Sequence, residues 1–205
     1  MTSLKDGYWA ARKEAPAFWL WFLGKLPGRL GIAIRARLLP PLLGACGRNQ
    51  TFQMNLRLTS PSQLRMGDNC NLGQGVFITA GGGVTLGNWV GMGPDSKIWS
   101  VNHKFDDPDT PWLTQGYEYK AVVVEDDVWI GAGAFIMPGV RIGKGTIISA
   151  CTVLSKSVPA YSIVAGNPGR VVGWRKKPEA GSEAGGTSGA IAGAAEAERA
   201  GSPSA

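Results

Sequence analysis

Aliphatic side chains recur at every sixth residue through VEDDVW IGAGAF IMPGVR IGKGTI ISACTV LSKSVP, where Val124, Ile130, Ile136, Ile142, Ile148 and Leu154 hold one phase. A 3.6-residue helical pattern drifts out of step with six within a few repeats, and strand alternation alone does not explain the small or acidic residue that follows most of them. The fifth position of each hexamer is small or β-branched throughout: Val128, Ala134, Val140, Thr146, Thr152 and Val158. This repetition predicts an all-β chain wound as a parallel β-helix, three hexamers to a triangular coil. The first residue of each hexamer should point into the prism and stack on its equivalent one coil away, at an inter-strand spacing of about 4.8 Å. Gly, Asn and Asp should take the corners, where the backbone is hostile to a Cβ. A single coil buries too little, so neighbouring coils must supply the stability.

The step extends upstream through Met66, Leu72 and Ile78, slips by two residues within TAGGGVT, and resumes at Leu86, Met92 and Ile98. About four coils follow from this count. Between Ile98 and Val124 the period fails, and the interruption reads WSVNHKFDDPDTPWLTQGYEYKAVV. Long insertions in a compact scaffold are functional or disordered, and Trp99, Phe105, Trp112, Tyr117 and Tyr119 argue for order in this one. It holds the only histidine of the chain, His103, at the end of a hexamer where rigid coil gives way to loop. That placement suits a catalytic group. Asp106, Asp107 and Asp109 follow; either one of them, Asp106 or Asp109, orients the imidazole, or they form a solvated turn with Pro108 and Pro111. The expected organisation is an arm over residues 1–48, a β-helix over 49–175 carrying the loop 99–123, and a tail over 176–205.

Composition narrows the chemistry. The chain has 205 residues, 44% of them hydrophobic, enough for one core and an appended element. Eight basic and two acidic side chains in the first 48 residues account for the whole formal net charge of +6. The β-helix and tail together are neutral in sum, so a nucleic-acid reading would have to rest on the arm alone, and no such partner is expected. Cys46, Cys70 and Cys151 are scattered, with neither a disulfide framework nor a zinc-ligand spacing, which fits a reducing cytoplasm. Cys151 reads as a small strand residue beside Thr152. One histidine cannot build the three-histidine metal site of a β-helix carbonic anhydrase, and no metal is expected. The tail PEAGSEAGGTSGAIAGAAEAERAGSPSA is low in aliphatic side chains and is expected to be disordered.

The arm YWAARKEAPAFWLWFLGKLPGRLGIAIRARLLPPLLGACG has an uncharged stretch, residues 15–24, too short to span a bilayer. Asp6 and Glu14 sit where a cleavable leader would be basic. An amphipathic helical arm remains, with Phe18, Trp19, Trp21 and Phe22 beside Lys25, Arg29, Arg35 and Arg37. Two readings stay open. Residues 8–45 dock on an anionic membrane as a peripheral element, or the aromatics pack over the open end of the β-helix or against a neighbouring subunit.

The NH at the coil exit and the run QGYEYKAVVVEDDVWIGAGAFIMPGVRIGKGTIISACTVLSKSVPAYSIVAGNPGRVV resemble the hexapeptide-repeat acyltransferases, in the branch of maltose, galactoside, nodulation-factor and polysaccharide O-acetyltransferases. The likeness covers roughly residues 50–175. Its most specific elements are the histidine upstream of VWIGAGA and the closing AGNPGRVV, where the family usually has AGNPARVI, so that Gly169 replaces an alanine. The resemblance implies a left-handed β-helix and a homotrimer with active sites between adjacent subunits. It implies acetyl-coenzyme A as donor, lying along the prism with its thioester near His103. By the same resemblance Trp129 lines the cleft, the backbone amides of Ala132 and Ala150 hold the pantetheine arm, and Ser155, Lys156 and Arg170 approach the adenosine 3′-phosphate.

The expected reaction is acetyl transfer to a sugar hydroxyl. A hydroxyl is a weak nucleophile at neutral pH, and an imidazole is the natural base to take its proton as it attacks the thioester. No residue constellation suggests an acyl-enzyme. The segment LGQGVFITAGGGV, Leu72 to Val84, lacks the Asn/Asp-rich sugar-binding stretch of the maltose and nodulation enzymes. With the basic aromatic arm, this points to a large saccharide acceptor, polysaccharide or lipid-linked, at the inner face of the cytoplasmic membrane. The alternatives are a small-molecule acyltransferase acting on an antibiotic or amino sugar, and a catalytically silent trimeric scaffold.

Overall fold

The computed structural model describes residues 18–177. Three sheets of short parallel strands form the faces of a prism. The first face comprises Ala45–Cys46, Leu64–Met66, Val84–Leu86, Val122–Val124 and Arg141–Ile142. The second comprises Thr51–Phe52, Asn71–Leu72, Gly91–Met92, Trp129–Ile130, Ile147–Ile148 and Ser162–Ala165, closed by the antiparallel strand Arg170–Trp174. The third comprises Arg57–Thr59, Phe77–Thr79, Lys97–Trp99, Phe135–Ile136 and Val153–Leu154. The in-register pairs Ile78 with Ile98, Ile98 with Ile136 and Ile136 with Leu154 show the expected stacking of hexamer-initial residues. All four are fully buried, and Val128, Ala134, Val140, Thr146, Thr152 and Val158 fill the space beside them.

The prism is longer at its N-terminal end than the four coils expected. Cys46, Phe52 and Leu58 form a further coil whose strands pair with Met66, Leu72 and Ile78. The β-helix thus begins at Ala45, before the boundary drawn at residue 49. Corner residues take positive φ as anticipated, among them Asn69, Asp95, Asp127, Gly133 and Gly145. Cys151 corrects its reading as a strand residue: it is exposed, with φ 59°, at the corner between the second and third faces. Its amide donates to the Ala132 carbonyl one coil below.

Two helical segments cover the N-terminal end of the prism: residues 18–25 (α1) and Gly28–Leu38 (α2). Leu23, Leu39 and Leu43 are buried with Phe52 and Leu56 of the first coil. Leucines, not aromatics, therefore close this end. Phe18, Trp19, Trp21 and Phe22 stay 41–59% exposed. Arg35, counted above among the surface cations, is fully buried. Its Nε donates to the Phe52 carbonyl at 2.7 Å, and Nη1 donates to the carbonyls of Leu23 at 3.0 Å and Leu26 at 2.6 Å. The guanidinium thereby ties the C-terminal end of α1, where the helix dipole favours a cation, to the first coil. Burial pushes its pKa down, but an arginine remains charged. Among the described residues no helix is long and apolar enough to cross a membrane.

Candidate active site

The insertion leaves the third face after Trp99 and folds into an antiparallel hairpin, Val101–His103 against Tyr117–Tyr119, with His103 opposite Tyr117. The Lys104 amide extends the ladder to the Gly116 carbonyl, and a short 3₁₀ turn, Trp112–Thr114, lies at the hairpin's far end. The hairpin departs from a braced point. Ser100, fully buried, donates its hydroxyl to the Thr79 carbonyl at 2.7 Å and accepts the Gly82 amide at 2.9 Å. The Lys120 amide returns to the Ser100 carbonyl. A Cβ on Gly82 would collide with that same carbonyl oxygen. The glycines of TAGGGV therefore admit the hairpin to the corner, which accounts for the absence of larger polar residues there.

His103 is half-buried. Its ring meets Trp112 edge-on at 4.8 Å and Tyr117 at 4.5 Å. Nδ1 is enclosed and has no hydrogen-bond partner among the described residues. The backbone N–H of His103 donates to the Asn102 side chain at 3.0 Å. Neither Asp106 nor Asp109 bonds the imidazole, so the orienting role offered to them is not filled within the protomer. The loop instead organises around Asp107, whose carboxylate accepts from the Thr110 hydroxyl at 2.7 Å and the Asp109 amide at 3.0 Å. Those bonds hold its pKa below the usual carboxylate range. Gln115 completes the turn by donating to the carbonyls of Asp107 and Thr110.

A cleft of about 320 Å³ lies beside His103, lined by Thr59, Thr79, Trp99, Tyr117 and Tyr119 among others. The Thr79 hydroxyl and Trp99 Nε1 are buried there without partners. These residues carried no assignment from the sequence, and the period-two runs VNH and YEY on either side of the loop are the signal that would have paired them.

The remaining candidates divide between two corners. Ala132 and Ala150 stack at the corner between the second and third faces, and their amides donate to no acceptor among the described residues. The chain returns above them: Gly169 donates to the Val153 carbonyl at 2.8 Å, which sets the exposed Arg170 over the same corner. A Cβ on Gly169 would lie 2.9 Å from the Thr152 methyl, so glycine fits where alanine would crowd. Trp129, 57% exposed, begins the second-face strand of the same coil as Ala132. Ser155 and Lys156, both exposed, instead follow the last third-face strand and lie at the corner from which the His103 hairpin springs. The corner from which the His103 hairpin leaves and the corner of the free amides are opposite edges of the third face, a width of about 16 Å for five extended residues.

Residues 121–156 match the family described as bacterial transferase hexapeptide (six repeats), and residues 63–90 match the hexapeptide repeat of succinyl-transferase. An acetyltransferase-family protein of Saccharomyces cerevisiae is 32% identical over 139 residues, 67% of this chain and 69% of that protein. The galactoside O-acetyltransferase of Lactococcus lactis is 34% identical over 110 residues, 50% of this chain and 51% of its own length. The chloramphenicol acetyltransferase of Agrobacterium fabrum is 33% identical over 111 residues, 54% of this chain and again 51% of the relative. The chain thus spans about half the length of these last two. Among solved structures, a hexapeptide-repeat acetyltransferase of Vibrio cholerae in complex with acetyl-coenzyme A is 27% identical, with a TM-score of 0.72 over 86% of this chain and 92% of that one.

Proposed function

Because the chain belongs to the hexapeptide-repeat acetyltransferases, we propose that it transfers an acetyl group from acetyl-coenzyme A to a hydroxyl of a saccharide, with His103 as general base. The observation that carries this reading is the enclosure of one ring nitrogen of His103 at the wall of a cleft. In this reading the ring hydrogen sits on the enclosed Nδ1, which leaves Nε2 as the nitrogen to accept a proton. The acceptor hydroxyl gives its proton to Nε2 as its oxygen bonds to the thioester carbonyl carbon. Backbone N–H groups suit the oxyanion that develops. The carbon–sulfur bond then breaks, and the imidazolium returns the proton to the departing thiolate. The free amides of Ala132 and Ala150 are apt partners for the amide groups of the donor's pantetheine arm, Trp129 offers an exposed ring beside them, and Arg170 and Lys156 offer cations for phosphate.

The division of the candidates between two corners supports assembly as a homotrimer. His103, Ser155 and Lys156 of one protomer would face Trp129, Ala132, Ala150 and Arg170 of the next, and each cleft would be complete only between subunits. Residues 18–48 contain four exposed cations, Lys25, Arg29, Arg37 and Arg48, and no carboxylate, together with the exposed aromatics of α1. That supports work at the inner, anionic face of the cytoplasmic membrane, on a polysaccharide or lipid-linked saccharide. The name of the Agrobacterium relative favours a second reading, transfer to a small antibiotic.

The test is release of free thiol from acetyl-coenzyme A in the presence of galactosides, glucosides and chloramphenicol. His103→Ala should lower kcat by about 10²- to 10⁴-fold while calorimetric binding of acetyl-coenzyme A persists. Unchanged turnover in the variant would overturn the mechanism, and turnover with chloramphenicol alone would favour the second reading.

A further inference from the structure

A groove of about 940 Å³ runs between α1 and the third face of the prism. Leu20, Trp21 and Lys25 form its helical wall; Arg57 and Phe77 form its floor, with Gln74 and Asp95 at the far corner. Thr59 and Ser60 line both this groove and the smaller cleft that holds His103, so the two spaces adjoin at these residues. The groove therefore crosses the third face from the corner at Asp95 to the corner of the hairpin.

Its lining alternates aromatic and polar groups. Phe77 of the groove floor meets Trp99 of the His103 cleft edge-on at 6.2 Å, and the Arg57 guanidinium lies 4.4 Å above the Phe77 ring. Beside this ladder, the enclosed Thr79 hydroxyl and Trp99 Nε1 still lack hydrogen-bond partners. Lys25 donates to the Asn55 side chain at 3.0 Å, and the lining carries two cations, Lys25 and Arg57, against one carboxylate, Asp95, among neutral Thr59, Ser60 and Gln74. Aromatic faces flanked by neutral hydrogen-bonding groups match a ligand that presents apolar C–H faces and hydroxyls by turns.

Size selects the length of that ligand. A pocket that encloses one compact small molecule runs from about 300 to 1,000 Å³. The cleft at His103 lies at the lower end of that range and suffices for the reacting sugar, whereas the groove adds room for a second body of comparable or greater size. We propose that the groove binds the units of an extended saccharide on either side of the acetylated one, with Trp21 and Phe77 as stacking platforms, so that acceptor length is read by α1 against the third face. This rests on the acetyltransferase reading and specifies the substrate class of the same site.

The experiment measures kcat/KM for thiol release by the full chain at saturating acetyl-coenzyme A, with glucose-series and N-acetylglucosamine-series acceptors of one to six units. Efficiency should rise at least about tenfold from monosaccharide to tetrasaccharide in one of the series. Trp21→Ala, at a residue 58% exposed, should lower the ratio of tetrasaccharide to monosaccharide efficiency by about 10- to 30-fold, the size of effect typical of a lost aromatic anchor. Efficiency independent of length, or a variant that leaves the ratio unchanged, would overturn the proposal while the acetyltransferase reading stands. A drop in oligomer mass on light scattering of Trp21→Ala would reassign the groove as a contact between copies of the chain. Calorimetric binding of acetyl-coenzyme A with no transfer to any member would exclude these saccharides, whereas failure to bind acetyl-coenzyme A would overturn the underlying reading first.

Discussion

Every coil crosses two of the prism's corners in six residues, and the third corner follows no such rule. From first to second face the steps Cys46 to Phe52, Met66 to Leu72, Leu86 to Met92, Val124 to Ile130 and Ile142 to Ile148 are identical, and the steps from second to third face repeat them. From third to first face the chain takes eight residues between Leu58 and Met66, eight between Ile78 and Leu86, twenty-six between Ile98 and Val124, six between Ile136 and Ile142, and four between Leu154 and Val158. The free amides of Ala132 and Ala150 stand at a constant corner and His103 at the variable one. On the proposed reading, a surface that follows a long donor along the prism needs repetition, and a group that reaches beyond the prism needs an exit. Confining all the slack to one edge keeps the stacking of the other two in register.

The comparison breaks most visibly if stability and activity fail to separate along it. Ile136→Ala removes a fully buried side chain from the regular stack and should cost about 2–5 kcal/mol, read as a loss of unfolding free energy in urea. Turnover per folded molecule should stay within a few-fold of the original. A proportionate collapse of kcat at low temperature would show that the two regions are not independent.

Gly82→Ala addresses the variable corner. The added methyl meets the Ser100 carbonyl where the hairpin departs, so the hairpin must shift. If His103 is the base proposed above, its displacement by about 1 Å costs on the order of 10²-fold in rate, and kcat should fall by roughly that amount while unfolding free energy drops less than in Ile136→Ala. Equal damage to both quantities would mean that the hairpin is integral to the prism.

Arg35→Met tests whether the N-terminal end behaves as scaffold or as attachment. The substitution leaves the carbonyls of Leu23, Leu26 and Phe52 without their donor. Losing hydrogen bonds to a charged group costs about 1.5–3 kcal/mol each in favourable cases. Amide exchange in α1 and α2 should accelerate, while exchange in Ile130, Ile136 and Ile148 should not. Uniform acceleration would make the helices part of the cooperative core.

The prism was legible because its inward positions repeat at a fixed step and no other regular structure has that step. The first coil escaped because Leu58 to Met66 slips by two residues and its neighbours Arg57 and Ser60 break the apolar signal, although Ile78 to Leu86 carries the same slip. Cys151 reads as a strand residue in the sequence because a hexamer does not announce where its corner falls; a cysteine there tolerates the left-handed backbone that glycine adopts at Gly133 one coil below. Burial of Arg35 was hidden because its three partners are backbone carbonyls, which no side-chain pattern reveals. The position of His103 at a coil exit was readable from the interruption, whereas its contacts with Trp112 and Tyr117 depend on hairpin register.

The smallest expected effect tests how the variable corner holds its own shape. Asp107 carries no burial, so its contribution is local: its ionised carboxylate accepts from Thr110 and Asp109 and closes the turn. Because its folded pKa is depressed, the turn is held at pH values above the ordinary carboxylate range, and that support is lost as pH falls through the depressed value. Protection factors for amide exchange across residues 104–116, corrected for intrinsic rates, should therefore step down in acid in the original chain. In Asp107→Asn they should be lower at neutral pH and lack the step, with the regular coils unaffected in both. If the acid step survives in the variant, another group holds the turn, and the hairpin's order comes from its packing on Gly81 and Gly82 rather than from its own polar closure.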